Sequence, residues 1–188
     1  MAIREVLNIP NPLLYEVSEP VTRFDRELRN LARDMFDTMY AANGVGLAGV
    51  QVGVLKRILV IDLADNGFIK GVFINPKVKT QSKEMQHGEE GCLSVPGLSA
   101  NLARPREVTV EYQDLTGNTK EVNAELLMAR ALLHEMDHLD GKVFVDLLEP
   151  DLKTELNDDI ERIKQGLKPI GTKEPKYRTE RMAIRSKS

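Results

Sequence analysis

The sequence contains no tryptophan, a single cysteine and three histidines, and aromatic residues fill only 5% of its 188 positions. The lone thiol, Cys92, cannot close an internal disulfide, so the fold has to be held by its core, and a reducing compartment suits it. Any run approaching the roughly 20 apolar residues of a membrane-spanning helix is also missing. The opening segment, Met1 to Leu14, breaks its apolar residues with Arg4, Glu5, Asn8, Pro10 and Pro12, and so lacks the apolar stretch of a signal peptide. Neither sign of charge dominates. With 26 Lys and Arg against 29 Asp and Glu, the formal net charge of -3 gives no reason to expect DNA or a membrane as partner. A cytoplasmic location is expected.

The length is that of one domain, and 41% apolar with 29% charged residues is an ordinary globular composition. Phe24 to Asn43 is predicted to be an amphipathic helix, with Leu28, Leu31, Ala32, Met35, Met39 and Ala42 at three-and-four spacing. Strands are predicted at Arg57 to Asp62, Val72 to Asn75 and Glu107 to Tyr112, and a hairpin around Thr116 to Asn118 leads to another at Thr119 to Val122. A second helix is expected from an N-cap at Asn123 to Leu139, with Gly141 as its stop. A third follows Pro150, placing Leu152, Leu156, Ile160, Ile163 and Leu167 on one face. These elements predict an α+β fold in which antiparallel or mixed sheets pack around a helix of the C-terminal half, with further helices near either end. Residues 1–171 are expected to form a single domain and 172–188 a mobile basic tail.

Gly44, Gly46 and Gly49, in the run GVGLAG, have the spacing of a dinucleotide-binding fingerprint. That fingerprint needs a strand before it and a helix after it, so that pyrophosphate rests on the helix N-terminus. Here a predicted helix precedes it, and Val50, Val52, Val54 and Leu55 alternate after it like an extended strand. A nicotinamide site is therefore not expected. A helix stop and a tight connection account for part of the glycine content. Glycine also lets a backbone approach a ligand closely, so the run could form an edge along which an extended peptide lies.

The sharpest chemical signal is His134-Glu135-Met136-Asp137-His138, a His-Glu-x-x-His motif on the best-patterned predicted helix. Residues four apart lie about 40° apart around a helix and one turn along it, so both imidazoles can converge on one ion. Glu135 falls to one side of the pair, within reach of a water on the ion, and Asp137 falls on the other flank. Chance pairing of two histidines is the alternative. An apolar helix weakens it, because buried polar groups need partners. A divalent ion still requires a third protein ligand. No histidine follows Leu139, where the nearby acids are Asp140, Asp146 and Glu149. Upstream stand His87, which reads as a solvated loop residue, and Cys92, in the polar run Glu90-Gly91-Cys92-Leu93-Ser94. A lone cysteine is more often inert core, but its coincidence with a two-histidine helix makes Cys92 the candidate ligand.

Three separated segments together resemble the peptide deformylase family. Gly44 to Gln51 (GVGLAGVQ) matches the first family motif, Glu90 to Ser94 (EGCLS) the second and His134 to His138 (HEMDH) the third, in the family's order and spacing. Val6 to Leu14 is similar to the family's opening, so the resemblance runs from about Glu5 to Pro150. It implies a hydrolase that removes the formyl group from the N-terminal formyl-methionine of nascent polypeptides and releases formate. It further implies that Cys92, His134 and His138 hold one divalent ion, natively ferrous iron, with zinc, nickel or cobalt able to take the site. The donor set alone would favour zinc. Three protein ligands leave a fourth position for water, and Glu135 becomes the base and then the acid of the reaction. The side-chain amide of Gln51 and the backbone N–H of Leu93 are implied as oxyanion donors.

By the same resemblance, substrate lies extended beside Gly44, Val45 and Gly46 and near Gly91, with its methionine side chain in a pocket that includes Leu127 and Ala131. Arg104 is implied as the partner of Asp137, an ordinary solvated arginine being the alternative. Three positions depart from the family's common pattern: Gly49 stands for alanine, Leu133 for glutamine, and Arg130 for an apolar residue of the methionine pocket. Two other readings compete, a zinc peptidase cutting internal bonds and a non-enzymatic module with a structural ion. Glu135, which a structural site does not require, speaks against the second. Beyond Gly171, Lys173, Lys176, Arg178, Arg181, Arg185 and Lys187 oppose only Glu174 and Glu180. This segment could meet the RNA phosphates of a ribosome, or merely solubilise the chain end.

Overall fold

The computed structural model describes residues 2–170, so the basic tail at 172–188 lies outside the described residues. Along the chain follow helix α1 (Arg26–Ala41), strands β1 (Gly46–Ala48), β2 (Ile58–Asp62), β3 (Lys70–Gln81), β4 (Met85–Cys92), β5 (Val95–Pro105), β6 (Glu107–Gln113) and β7 (Thr119–Glu125), and helices α2 (Leu126–Leu139), α3 (Pro150–Glu155) and α4 (Asn157–Lys164). One sheet has the order β1-β2-β3-β6-β7 and a second consists of β4 and β5. Every strand pair is antiparallel. This is the expected α+β class. Among the described residues no helix is long and apolar enough to cross a membrane.

Strand β2 explains the layering. Leu59 and Ile61 share a core cluster with Met128, Leu132 and Met136 of α2, whereas Ile58 and Val60 share another with Leu28, Met35 and Met39 of α1. The two parities are the two-residue period of a strand. Burial on both faces is why Ile58-Leu59-Val60-Ile61 is an unbroken apolar run, and each such side chain contributes roughly 1.5–3 kcal/mol. A third cluster joins Val95, Leu98, Ala100 and Leu102 of the β4–β5 hairpin to Leu14, Phe144, Ile160 and Ile163. The hairpin is thus clamped by the N-terminal turn and the C-terminal helices.

Several local expectations give way to tertiary structure. Helix α1 starts at Arg26 because Asp25 caps it, its carboxylate accepting from Leu28 N at 3.0 Å. Helix α2 starts at Leu126, not after an Asn123 cap. Asn123 lies within β7, paired with Thr109 of β6, and accepts a hydrogen bond from Thr109 Oγ1 at 2.8 Å, so hairpin pairing wins over capping. The predicted extension through Val50 and Val52 is a 3-10 turn over Gly49–Val52. There the backbone folds back so tightly that a methyl group at Gly49 would stand 2.9 Å from the Val54 carbonyl oxygen. The single helix expected after Pro150 is divided into α3 and α4, and Leu167 is 49% exposed while Ile160 and Ile163 are buried.

Candidate metal centre

Strand β4 carries Glu90 and Cys92 two residues apart, and therefore on one face. Both are buried, at 2% exposure each. Cys92 ends the strand at a turn through Leu93 and Ser94, since Cys92 pairs with Val95. Its Sγ lies 3.1 Å from His138 Nε2. One ligand atom from each of Cys92, His134 and His138 falls within 4.8 Å of the others, and all three residues are buried. Helix α2 delivers both imidazoles one turn apart, with their ring centroids separated by 5.1 Å. His87 is elsewhere, exposed on β4 rather than in a loop.

The Nδ1 of His134 is 2.9 Å from Glu90 Oε2, which fixes the ring and leaves Nε2 as its second donor atom. Glu90 is in turn gripped by Arg104, Nε to Oε1 at 2.8 Å and Nη2 to Oε2 at 2.9 Å. Arg104 Nη1 also donates to Asp137 Oδ2 at 2.5 Å, so the expected Arg104–Asp137 pair is present and Arg104 is buried, not solvated. Arg130 adds a further bond, Nη1 to Glu90 Oε1 at 2.7 Å. Removing one partner from such a buried network costs about 3–5 kcal/mol, because a charge is left uncompensated.

These neighbours set the protonation states. Burial would raise the Glu90 carboxyl, but Arg104 and His134 hold it well below the ordinary carboxylate range. Burial would likewise raise the Cys92 thiol, yet the charge of His138 and hydrogen bonds from both imidazoles hold it well below its usual value. His134 moves the other way. Burial lowers it, but hydrogen bonds to Cys92 and Glu90 and the charges of Cys92 and Glu135 keep it well above the free imidazole. A thiolate is therefore favoured, and the cluster favours positive charge at its centre. The donor set fits a divalent cation.

Glu135 is buried against β1, where Gly46 passes so close that a methyl group there would overlap the Glu135 carboxylate. Gln51 is oriented by its carbonyl end, which accepts from Ala48 N at 2.8 Å. Its amide Nε2 consequently faces Ser94 Oγ at 3.1 Å and Cys92 Sγ at 3.5 Å. The N-terminal segment straps both loops, Leu7 N donating to Gln51 O at 2.8 Å and Ile9 N to Ser94 O at 3.0 Å.

A single cavity is lined by Val45, Gly46, Gln51, Gly91, Cys92, Leu93, Leu127, Ala131, His134 and Glu135, together with Glu90 and Arg130. Two sequence-predicted residues stand apart from its wall. His138 lies behind Cys92, and Gly44 is buried beside the side chains of Leu93 and Met39. The sequence reading missed Glu90 as the partner of His134 and Ser94 as that of Gln51. For Glu90 a signal existed, namely its two-residue spacing from Cys92 on a strand.

Fold and site together define an α+β protein with a buried Cys–His–His group that could hold a metal ion. The family model for polypeptide deformylase matches residues 3–154. A peptide deformylase of Rhizobium meliloti is 45% identical over 175 residues, covering 92% of this chain and 99% of its own length. One from Erythrobacter litoralis is 46% identical, covering 79% and 90%. The crystal structure of a peptide deformylase from Legionella pneumophila superposes with a TM-score of 0.80 at 41% identity, covering 87% of this chain and 96% of that one. The chain belongs to the peptide deformylase family, hydrolases that remove the N-formyl group from the formyl-methionine of nascent peptides. The contact between Gly46 and Glu135 leads to a specific expectation. Gly46→Ala should push the Glu135 side chain aside and lower deformylation strongly while metal content, measured on the same sample, stays at the wild-type level.

Proposed function

We propose that this chain hydrolyses the formyl amide of formyl-methionyl nascent peptides, releasing formate, and that it does so as a metal-dependent enzyme whose single divalent ion is held by Cys92, His134 and His138. The observation that carries the reading is the convergence of three buried donors, within 4.8 Å of one another, beside a carboxylate and a cavity. Ferrous iron is the proposed native ion, with zinc, nickel or cobalt as substitutes. When bound, the ion supplies Lewis acidity, which acidifies water and polarises a carbonyl group.

The protein's own residues supply positioning and proton transfer. Glu135 accepts the proton of the attacking water and returns it to the departing amine. The Nε2 of Gln51 and the backbone N–H of Leu93 donate to the oxygen that gains charge, and losing one such donor typically costs about 10² to 10³ in rate. Val45 and Gly46, next to Gly44 and at the free edge of the five-stranded sheet, offer backbone groups to an extended peptide. Gly91 lines the same cavity and is proposed to meet the peptide there, and Leu127 with Ala131 forms the apolar surface for the methionine side chain. Residues 1–171 make up the catalytic unit, working in the cytoplasm. The basic segment 172–188 is proposed, on its charge alone, to meet ribosomal RNA.

Two substitutions test the centre. Cys92→Ala should lose tightly held metal and most activity, and full retention of metal would sink its assignment as ligand. Glu135→Gln keeps size and shape but cannot act as a base, so it should retain the ion and bind a formyl-methionyl peptide while turnover falls about 10⁴-fold, the upper end for acid–base catalysis. Near-normal turnover, or loss of the ion, would refute that role. Deleting Thr172 to Ser188 should weaken cosedimentation with ribosomes at low salt and spare turnover of short peptides, and unchanged cosedimentation would remove the ribosome reading.

A further inference from the structure

We propose that Arg130 is a positioning residue for the metal centre, pinning one oxygen of Glu90 so that the other is presented to His134. The inference rests on the reading of Cys92, His134 and His138 as metal ligands. Arg130 stands one helical turn before His134, and side chains on a helix lean toward its N-terminus. That lean carries the guanidinium away from the ion site and onto the β4–β5 hairpin. Its Nη1 donates to Glu90 Oε1 at 2.7 Å, to Leu102 O at 2.9 Å and to Gly88 O at 3.2 Å, and its Nη2 donates to Gln86 O at 3.2 Å. The acceptors come from both strands of the hairpin, so one planar fork fixes the hairpin and the Glu90 carboxylate together.

Two further observations support this. Gly88 has no side chain, and a Cβ there would lie 3.1 Å from Arg130 Nη2 and 3.2 Å from its Cζ, so the strand leaves room for the guanidinium to lie against it. The charges also close. Glu90 and Asp137 share Arg104, and Arg130 is the second guanidinium of this cluster, so one buried and one half-buried carboxylate meet two guanidinium groups. An apolar residue at 130 would leave Glu90 and Asp137 with one guanidinium between them. With both terminal nitrogens engaged by the hairpin, Arg130 brings its stem, not a spare charge, to the cavity it lines.

The test compares zinc affinity, by chelator competition, and the absorption spectrum of the cobalt-loaded full-length protein across wild type, Arg130→Leu and Arg130→Lys. Arg130→Leu should bind zinc about 10- to 100-fold more weakly, shift the cobalt bands, and lower kcat for a formyl-methionyl peptide more than it raises KM. Lysine keeps the stem and charge but presents one nitrogen to acceptors spread over two strands, so Arg130→Lys should show a smaller loss in the same direction. It decides the matter if the leucine variant does not fold. Unchanged zinc affinity and cobalt spectrum would overturn the proposal. So would a change confined to KM and to the preference for methionine over leucine, which would make Arg130 a pocket wall only. Failure of the wild type to bind zinc or cobalt would remove the ligand reading itself.

Discussion

A carboxylate buried as deeply as Glu90 must have its charge met, and that requirement joins the two halves of the site. Glu90 sits on the hairpin, whereas His134, Arg130 and Asp137 sit on α2, and Arg104 reaches from β5 to both. Buried ion pairs repay their desolvation only when geometry is good and the remaining hydrogen bonds are satisfied. Here each oxygen of Glu90 has two donors around it. Such a network tolerates little displacement, and so it sets the distance between hairpin and helix at which Cys92 meets His138.

The apolar layers fix what the polar network cannot. Helix α2 lies on the five-stranded sheet through Met128, Leu132 and Met136, and the hairpin rests on the C-terminal helices through Val95, Leu98 and Leu102. The N-terminal segment then bonds to both Gln51 and Ser94, residues on separate loops. Preorganisation of this kind matters for hydrolysis because donors and bases held in place do not have to reorganise as charge develops. It also explains why glycine stands at position 46, where the edge strand and the Glu135 carboxylate share almost no space.

How much of this was legible depended on whether the information was local. Helix α1 and the face of α2 were readable because their apolar residues recur with the helical period, and β2 and β6 because they bury apolar side chains. The β4–β5 hairpin was not. The stretch Met85 to Cys92 turns Glu90 and Gly91 inward, so its strand period carries no apolar alternation. Asn123 reads as a helix cap from its neighbours, but its partner is Thr109, 14 residues away on the adjoining strand. Arg130 reads as an intrusion into an apolar pocket, and only the positions of three hairpin carbonyls and Glu90 show where its charge goes.

The sequence by itself determined the chemistry available: two imidazoles one turn apart, a carboxylate between them, one thiol, and a glycine-rich edge. Those features follow from residue identity and from the fixed geometry of a helix turn, which needs nothing beyond the local backbone. Tertiary structure decided which of them meet. Cys92 and His138 are 46 residues apart along the chain, and their contact depends on a hairpin held by apolar packing on one side and joined to helix α2 through Glu90, Arg104 and Arg130. Side-chain periodicity reports the direction a residue faces, but not what stands opposite it. That is supplied only when separate elements pack together and each buried charge has found its partner.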